Sequence, residues 1–345
     1  MIRLLFSLFR FFGIYCIVLA AATEMRAQTS SENEYYQPFP DLLTTRFYFS
    51  QKYTGLRIRD KIDDSRYLYV PNTTLNMGIG ATYKWATLNL GYGFGFLNPD
   101  KNQGDTRYLD LQAHIYPRKF VVDVFGQFYK GYHLQERGRG VATDEAFYVR
   151  PDLALTKIGA SVQYLFNHER FSYRAAFMQN EWQKKSAGTF LLGFEMYGGR
   201  VAGDSVLVPV PLIRNTAGNF TSLNFFEFGP NAGYAYTLVF KKHFFVTASA
   251  AANLGIGYTE KETETNSHTQ WGVKPNIFWR GVIGYNASRW SVNVNYVRNN
   301  VRLVSNEGFS NTMLTGNYRL NFVYRINPGP KLSKLLRHLD RVGPE

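Results

Sequence analysis

The sequence has almost no cysteine: Cys16 is the single one among 345 residues. It lies in an N-terminal apolar stretch that is typical of a secretory signal, so we expect the mature chain to contain no cysteine. This excludes disulfides, thiolate catalysis and cysteine-ligated metal sites. After that stretch the chain also lacks any apolar run close to the roughly 20 residues of a membrane-spanning helix. Two classes remain: an exported soluble β-protein, or a barrel that crosses a membrane with strands.

The N-terminus has the order of features expected of a cleaved leader. Arg3 and Arg10 are cationic, Phe11 to Ala22 are apolar but too few to span a bilayer, and Met25-Arg26-Ala27 can precede a cleavage site. We predict a signal peptide over residues 1–27, followed by an N-terminal periplasmic segment over 28–42. Export through this leader would place the protein in the cell outer membrane.

The chain is not acidic. It has 39 Lys and Arg against 26 Asp and Glu, for a formal charge of +13. The basic residues are spread along the chain without a Lys/Arg cluster or a nucleic-acid motif, so nucleic acid is not expected as a partner.

The strongest pattern is the alternation over residues 75–96, LNMGIGATYKWATLNLGYGFGF. Apolar residues occupy odd positions up to Tyr83 and even positions from Ala86, while glycine and small polar residues fill the other face. A two-residue turn at Lys84-Trp85 accounts for the switch and pairs Tyr83 with Ala86. We expect the apolar face to contact lipid and the glycine face to leave room inside a barrel for water or for long side chains such as those of Arg174 and Arg280.

The same alternation recurs around short turns at 117–119, 167–170, 241–243 and 286–289. Long polar connections are expected near 60–72, 97–106, 134–150, 259–272 and 302–311. Short turns at one end and long loops at the other are typical of outer-membrane barrels. The predicted fold class is therefore an all-β, transmembrane, antiparallel up-and-down β-barrel with short periplasmic turns and long outer loops.

The predicted barrel covers residues 43–326. Thirteen strands have clear patterns, including one at 171–183, and the segment 205–213 would complete about 14, although Pro209 and Pro211 oppose a ladder there. A barrel of about 12 strands is the alternative. Residues 327–345 form a C-terminal tail in which leucines at helical spacing indicate a short amphipathic helix, with a frayed tail as the alternative.

The polar face of the strands supplies the candidate functional residues. In a pore, their excess of cations would favour a small anionic solute. In a plugged barrel, the same charges would pair with one another. The lumen-lining candidates are Asp110, Gln112, His114, Asp123, Gln127, Lys157, Gln163, Arg174, Lys274, Arg280, Arg319 and Arg325.

Catalytic and cofactor motifs are scarce. We find no metal-ligand spacing, P-loop or GxSxG element, and no His-x-Ser pair; His114 is the strand histidine considered as a base. We therefore predict no cofactor, no metal and no enzymatic activity. The main hypothesis is a channel for small solutes or a structural or surface protein, in contact with outer-membrane lipid and lipopolysaccharide. The alternatives are a membrane-embedded enzyme acting on lipid or lipopolysaccharide, and a soluble exported lipid-binding protein.

Several stretches resemble one uncharacterised family. They are YVPNTTLNMGIGATYKW (69–85), LNLGYGFGFLNPD (88–100), TRYLDLQAHIY (106–116), FGQFYKGYH (125–133) and EWQKKSAGTFLLG (181–193). They are similar to a domain of unknown function numbered 4421, from outer-membrane barrels of Bacteroidota. The resemblance covers most of the mature chain and implies an outer-membrane location, with no known activity or ligand.

Overall fold

The computed structural model describes residues 33–84, 86–144, 146–213, 219–305, 308–334 and 336. The predicted signal peptide (1–27), Trp85 of the first predicted turn and most of the predicted tail helix lie outside these residues. Residues 330–334 are helical.

Nearly all of the described chain is β-structure, because alternating polar and apolar residues fit a pleated sheet with two unlike faces. The first eight strands are β1 (Tyr36–Pro38), β2 (Leu43–Asp60), β3 (Arg66–Val70), β4 (Asn76–Tyr83), β5 (Ala86–Tyr92), β6 (Arg107–Ile115), β7 (Phe120–Leu134) and β8 (Val149–Leu165). The others are β9 (Glu181–Gln183), β10 (Ala187–Ala202), β11 (Ser222–Phe240), β12 (Phe244–Glu262), β13 (Ser267–Asn286), β14 (Trp290–Arg302) and β15 (Phe309–Ile326). Within the sheet connections, α-helix α1 spans Tyr173–Phe177, and 3-10 turns lie at Gly95–Leu97 and Val210–Leu212.

The sheet is antiparallel and closes on itself. The last strand, β15, pairs with β2 over the full register from Phe309↔Asp60 to Ile326↔Leu43. The sheet contains 13 strands, and ten of them form the closed ring: β2, β3, β7, β8 and β10 to β15. Strands β4, β5 and β6 belong to the same sheet but are not part of the closed ring. Strand β1 pairs only with β9. The predicted antiparallel β-barrel is confirmed, but neither predicted strand number equals the ten strands of the ring.

Two predicted strands are wrong. Residues 171–183 contain α1 and the short β9, because Ser172 accepts a hydrogen bond from the backbone N–H of Ala175 and caps a helix there. The alternation of this segment could not separate a strand from a short buried helix. Residues 205–213 form a 3-10 turn at Val210–Leu212 instead of a strand, as the two prolines would suggest.

The hairpin in the opening pattern is confirmed. Tyr83 pairs with Ala86, and the register continues to Met77↔Tyr92. The space above the glycines is taken by Tyr48 from the neighbouring strand, since a Cβ on Gly78 would lie 2.4 Å from the Tyr48 ring. The expectation that Arg174 or Arg280 reaches this space is wrong, because Tyr48 is on the adjacent strand and covers Gly91 as well.

The outer surface of the ring is apolar. Aliphatic side chains form its middle, where Leu88 is 65% exposed, and aromatic side chains lie above and below them. The aromatic side chains near the turns are Phe166, Phe190, Phe240, Phe244, Trp290 and Tyr324, and those near the loops are Tyr92, Phe94, Phe96, Phe228, Trp271 and Tyr318. An aliphatic belt bordered on each side by a band of aromatic side chains is the surface expected of a barrel in a bilayer. Among the described residues, no helix is long and apolar enough to cross a membrane.

The connections differ in part from their predicted lengths. Residues 93–106, 135–148 and 203–221 are long loops, but β2 and β3 are joined by 61–65 alone, and β12 and β13 by 263–266. The predicted loop at 259–272 is therefore largely strand, and the predicted loop at 60–72 contains β3, because β-pairing continues beyond the apolar belt. On the turn end, the connection from β8 to β10 is long and folds inward.

Candidate functional site: the barrel interior and its lateral opening

The turn end of the barrel is filled by the connection between β8 and β10, residues 166–186, which we call the plug. Its buried core comprises Phe171, Tyr173, Ala175, Ala176 and Met178. Of these, Phe171, Tyr173 and Met178 pack against side chains of the barrel wall, including Val121, Leu165, Leu191 and Ala235. Strand β9 of the plug pairs with β1, so the N-terminal segment is part of this closure.

Hydrogen bonds tie the plug to the wall. The Tyr173 hydroxyl lies 2.6 Å from Ser249 Oγ on β12. Arg325 on β15 donates from Nε to the carbonyl of Gln179 at 2.9 Å, and from Nη1 to the carbonyl of Ala287 at 2.6 Å. Because these partners lie on distant strands, the plug is attached to both sides of the barrel.

The loop end is filled by a second, apolar cluster. Leu207, Val208 and Phe220 from the loop between β10 and β11 are buried among wall residues such as Leu56 and Met313. The Tyr69 hydroxyl donates to the carbonyl of Leu207 at 2.8 Å. This loop therefore caps the barrel from inside.

Between the plug and the cap, the interior is polar and its charges are largely paired. Arg280 on β13 forms an ion pair with Asp123 on β7 and donates to the Tyr116 hydroxyl at 3.0 Å. His114 Nδ1 lies 2.6 Å from the other oxygen of Asp123. Removing one member of a buried pair leaves an uncompensated charge, so this contact fixes the distance between β13 and the β6–β7 hairpin.

A second polar group surrounds Lys157, which is fully buried. Its ammonium lies 3.2 Å from Thr315 Oγ1 and about 5 Å from the ring centres of Phe125 and Tyr197. Thr315 in turn donates to Gln127 at 3.3 Å. At this level, side chains of the described residues fill the space between the walls.

The sequence candidates are placed as follows. Asp123, Gln127, Lys157, Gln163, Arg280 and Arg325 are buried in the interior. Asp110 and Gln112 are half-buried on the inner face of β6, and Lys274 and Arg319 are half-buried on β13 and β15. Arg174 is on α1 of the plug, not on a wall strand, and donates to the carbonyl of Lys84 at 2.7 Å. The structure thus brings Asp123, His114 and Arg280 together.

The wall has a lateral opening between β5 and β6. Above it the ring is closed by pairing of β3 with β7 at Tyr69↔Leu134 and Val70↔His133. Below this point β5 pairs only with β4, and β6 only with β7, so one edge of each strand has no ladder partner among the described strands. Loop 93–106 seals the upper corner, where Thr106 Oγ1 accepts from the Asn72 backbone N–H at 2.8 Å.

Inward-facing side chains are accessible at this opening. Thr87 and Thr82 face each other across the hairpin, with their hydroxyls 2.9 Å apart, yet Thr82 is buried and Thr87 is exposed. His114 is likewise exposed although it points to buried Asp123. The flanking Leu88 and Leu109 are exposed on the outer surface, which puts the opening at the level of the apolar belt.

Three arginines lie behind the β4–β5 side of the opening. Arg46 donates to Asn89 of β5 at 3.3 Å, to Thr82 at 2.5 Å and to the Met178 carbonyl at 3.1 Å. Arg319 lies close enough to interact electrostatically with Arg46, and so does Arg325. Arg46 was not among the candidates named from the sequence. Its alternation with Phe47 and Phe49 nevertheless predicts that its side chain lies on the inner face of the strand.

Among the described residues, no group of three or more His, Cys, Asp and Glu side chains could hold a metal ion. No curated protein matches the sequence.

The matches to solved structures are of low similarity. The translocator domain of autotransporter NalP from Neisseria meningitidis is 6% identical, with a TM-score of 0.34, and the match covers 91% of this chain and 95% of that one. The beta domain of the Bordetella autotransporter BrkA is 8% identical, with a TM-score of 0.34, covering 82% and 99%. The toluene transporter TodX of P. putida is 9% identical, with a TM-score of 0.25, covering 84% and 91%. TM-scores this low support no inference about function.

A family model gives the informative match. It is described as a domain of unknown function, DUF4421, and it matches residues 30–326, which include every strand of the barrel. The resemblance found in the sequence motifs is confirmed, and the chain belongs to the DUF4421 family.

Proposed function

We propose that this protein is a non-enzymatic β-barrel of the outer membrane whose interior is filled, and that it acts as a structural or surface component rather than as an open channel. The single observation that carries the proposal is the filled interior: Gln127 and Lys157, paired neighbours on β7 and β8, have no exposed surface, and Lys157 reaches across to Thr315 on β15. A filled barrel is stabilised by its interior contacts and has no room for solute.

The exterior supports the location. The aliphatic belt matches the hydrocarbon region of a membrane, and the two bands of aromatic side chains match its two interfaces. Lipid and lipopolysaccharide therefore contact the wall in this proposal. The turn end, with the plug, faces the periplasm in this proposal, and residues 1–27 direct export. The origin of the family in Bacteroidota stays a prediction.

Fractionation tests the location. The full chain, expressed in a host with two membranes, should be recovered with the outer membrane, and should migrate faster on a gel without heating than after boiling. Recovery in the soluble periplasmic fraction would remove the membrane barrel and favour the soluble lipid-binding protein.

Planar bilayer recordings separate the filled barrel from the channel. We expect no stable single-channel steps from the purified, folded protein. Steps with anion selectivity that is lost in R280Q would contradict the filled barrel and support the channel for a small anionic solute.

A further inference from the structure

We propose that the lateral opening between β5 and β6 is a binding site for an anionic amphiphile, whose phosphate or carboxylate head group binds Arg46 and Arg319 while its acyl chain stays in the bilayer. The inference rests on the proposed location in the outer membrane. It adds a ligand that enters from the lipid phase, not from either end of the barrel.

The first observation is the missing counter-charge. Among the described residues, Arg46, Arg319 and Arg325 have no carboxylate within ion-pair distance, and all hydrogen-bond acceptors of Arg46 and Arg325 are neutral. Arg319 makes no hydrogen bond to a described residue and only stacks on Tyr48. Buried charges in proteins are normally paired or hydrogen-bonded, so we expect an anion to bind at this cluster of arginines.

The second observation is that the carboxylates on the β6 side of the opening are already engaged. Asp110 accepts from Lys52 at 3.3 Å and from the Tyr129 hydroxyl at 2.6 Å, and Asp123 is engaged by Arg280 and His114. These carboxylates have partners of their own. They therefore do not neutralise the arginines of β2 and β15, which lie behind the hairpin of β4 and β5.

The third observation is a set of unsatisfied polar atoms on the same wall. Side-chain atoms without a hydrogen-bond partner on the inner face of β2, β14 and β15 include Thr44 Oγ1, Arg46 Nε, Ser291 Oγ, Asn293 Nδ2, Asn317 Oδ1 and Arg319 Nε. Buried polar groups that lack partners lose the free energy of a hydrogen bond, and a head group rich in oxygen would supply acceptors to several of them.

The fourth observation is the path. The free edges of β5 and β6 expose backbone N–H and C=O groups at the level of Leu88 and Leu109, where hydrocarbon cannot satisfy them. A polar head group can bind these edges, and an acyl chain can pass between them into the lipid. Arg46 reaches the edge strand itself through Asn89, so the cationic cluster and the opening form one site.

The experiment uses the full folded protein in dodecyl maltoside micelles and native mass spectrometry. The probes are phosphatidylglycerol, phosphatidylcholine with the same acyl chains, and inorganic phosphate, at matched concentrations. We expect one phosphatidylglycerol per barrel, much weaker binding of phosphatidylcholine, and no displacement by inorganic phosphate. In the R46Q/R319Q variant, the affinity for phosphatidylglycerol should fall by about tenfold or more, because charge-assisted hydrogen bonds are lost.

R319K should keep most of the affinity, and R302Q, at an exposed position at the loop end of β14, should leave it unchanged. R319Q alone serves if the double variant does not fold, since Arg319 holds no described residue by a hydrogen bond. Equal binding of the two lipids, or unchanged affinity in folded R46Q/R319Q, would overturn the site. Displacement by inorganic phosphate would show that the site binds a free anion and not an amphiphile. A dimer that covers the opening would show that the opening is an interface between two copies of this chain, which also contradicts the lipid site.

Heat-modified migration is measured on the same samples. A wild-type protein that lacks it contradicts the membrane barrel itself. A wild-type protein that shows it but binds no phosphatidylglycerol contradicts only the binding site.

Discussion

The Arg319 guanidinium lies over the ring of Tyr48, with its central carbon 4.3 Å from the centre of the ring. Tyr48 in turn covers Gly78 of β4 and Gly91 of β5, which have no side chains to exclude it. The contact between a cation and an aromatic face thus connects β15, β2 and the edge of the lateral opening. A glycine at position 78 is required for this arrangement, because a Cβ there would lie 2.4 Å from the Tyr48 ring.

Replacing Gly78 with alanine should destabilise the barrel by about 1–3 kcal/mol, because the new methyl group would overlap both the Tyr48 ring and the Leu90 carbonyl oxygen. Urea unfolding of the protein in micelles, followed by tryptophan fluorescence, measures the change. Gly95 is the matched control, since a Cβ there meets nothing within 4 Å. Equal stability of G78A and G95A would show that Tyr48 does not occupy this space.

The ion pair of Asp123 and Arg280 should be costly to break from one side. Both side chains are 3% exposed, so D123N should lower the free energy of unfolding by about 3–5 kcal/mol, since it leaves Arg280 buried without an anion. The double variant D123N/R280Q should lose less than the two single variants together. Exposed Lys185, paired with Glu34, gives the control K185Q, which should not shift the unfolding midpoint. Additive losses would mean that the two groups do not interact.

Arg325 should hold the plug in place. R325Q removes donors to the carbonyls of Gln179 and Ala287, and we expect a loss of about 2–3 kcal/mol because buried acceptors are left unsatisfied. Limited proteolysis should then cut within residues 166–186 faster than in the wild type. R289Q, at an exposed turn position, is the control. Unchanged proteolysis of R325Q would indicate that the plug is held by its apolar core alone.

Thiol labelling should detect the lateral opening directly. The predicted mature chain has no cysteine, so T87C and T82C each carry a single thiol on facing positions of the same hairpin. Because Thr87 is exposed and Thr82 is buried, a maleimide should react with T87C about tenfold faster or more. Equal, slow labelling would mean that β5 and β6 close the wall together.

Part of the interior could be anticipated from the strand pattern. Asp123, Gln127, Lys157, Gln163 and Arg280 all follow from alternation, because a side chain on one face of a strand has its neighbours two residues away. The position of Arg174 could not be predicted in this way, because the alternating residues around it, 171–177, form a short helix and not a strand. Which charges would pair was also beyond the sequence: Arg280 and Asp123 are 157 residues apart.

The sequence by itself determined the antiparallel strands, their registers around the turns and the lipid-facing side. These depend on local alternation and turn length, which repeat along the chain. The tertiary structure alone decided that residues 166–186 fold inward, that β3 pairs with β7 above β5 and β6, and that Arg46 and Arg319 meet. These features depend on the closure of β15 on β2 and on contacts between distant strands, and no short stretch of sequence contains that information.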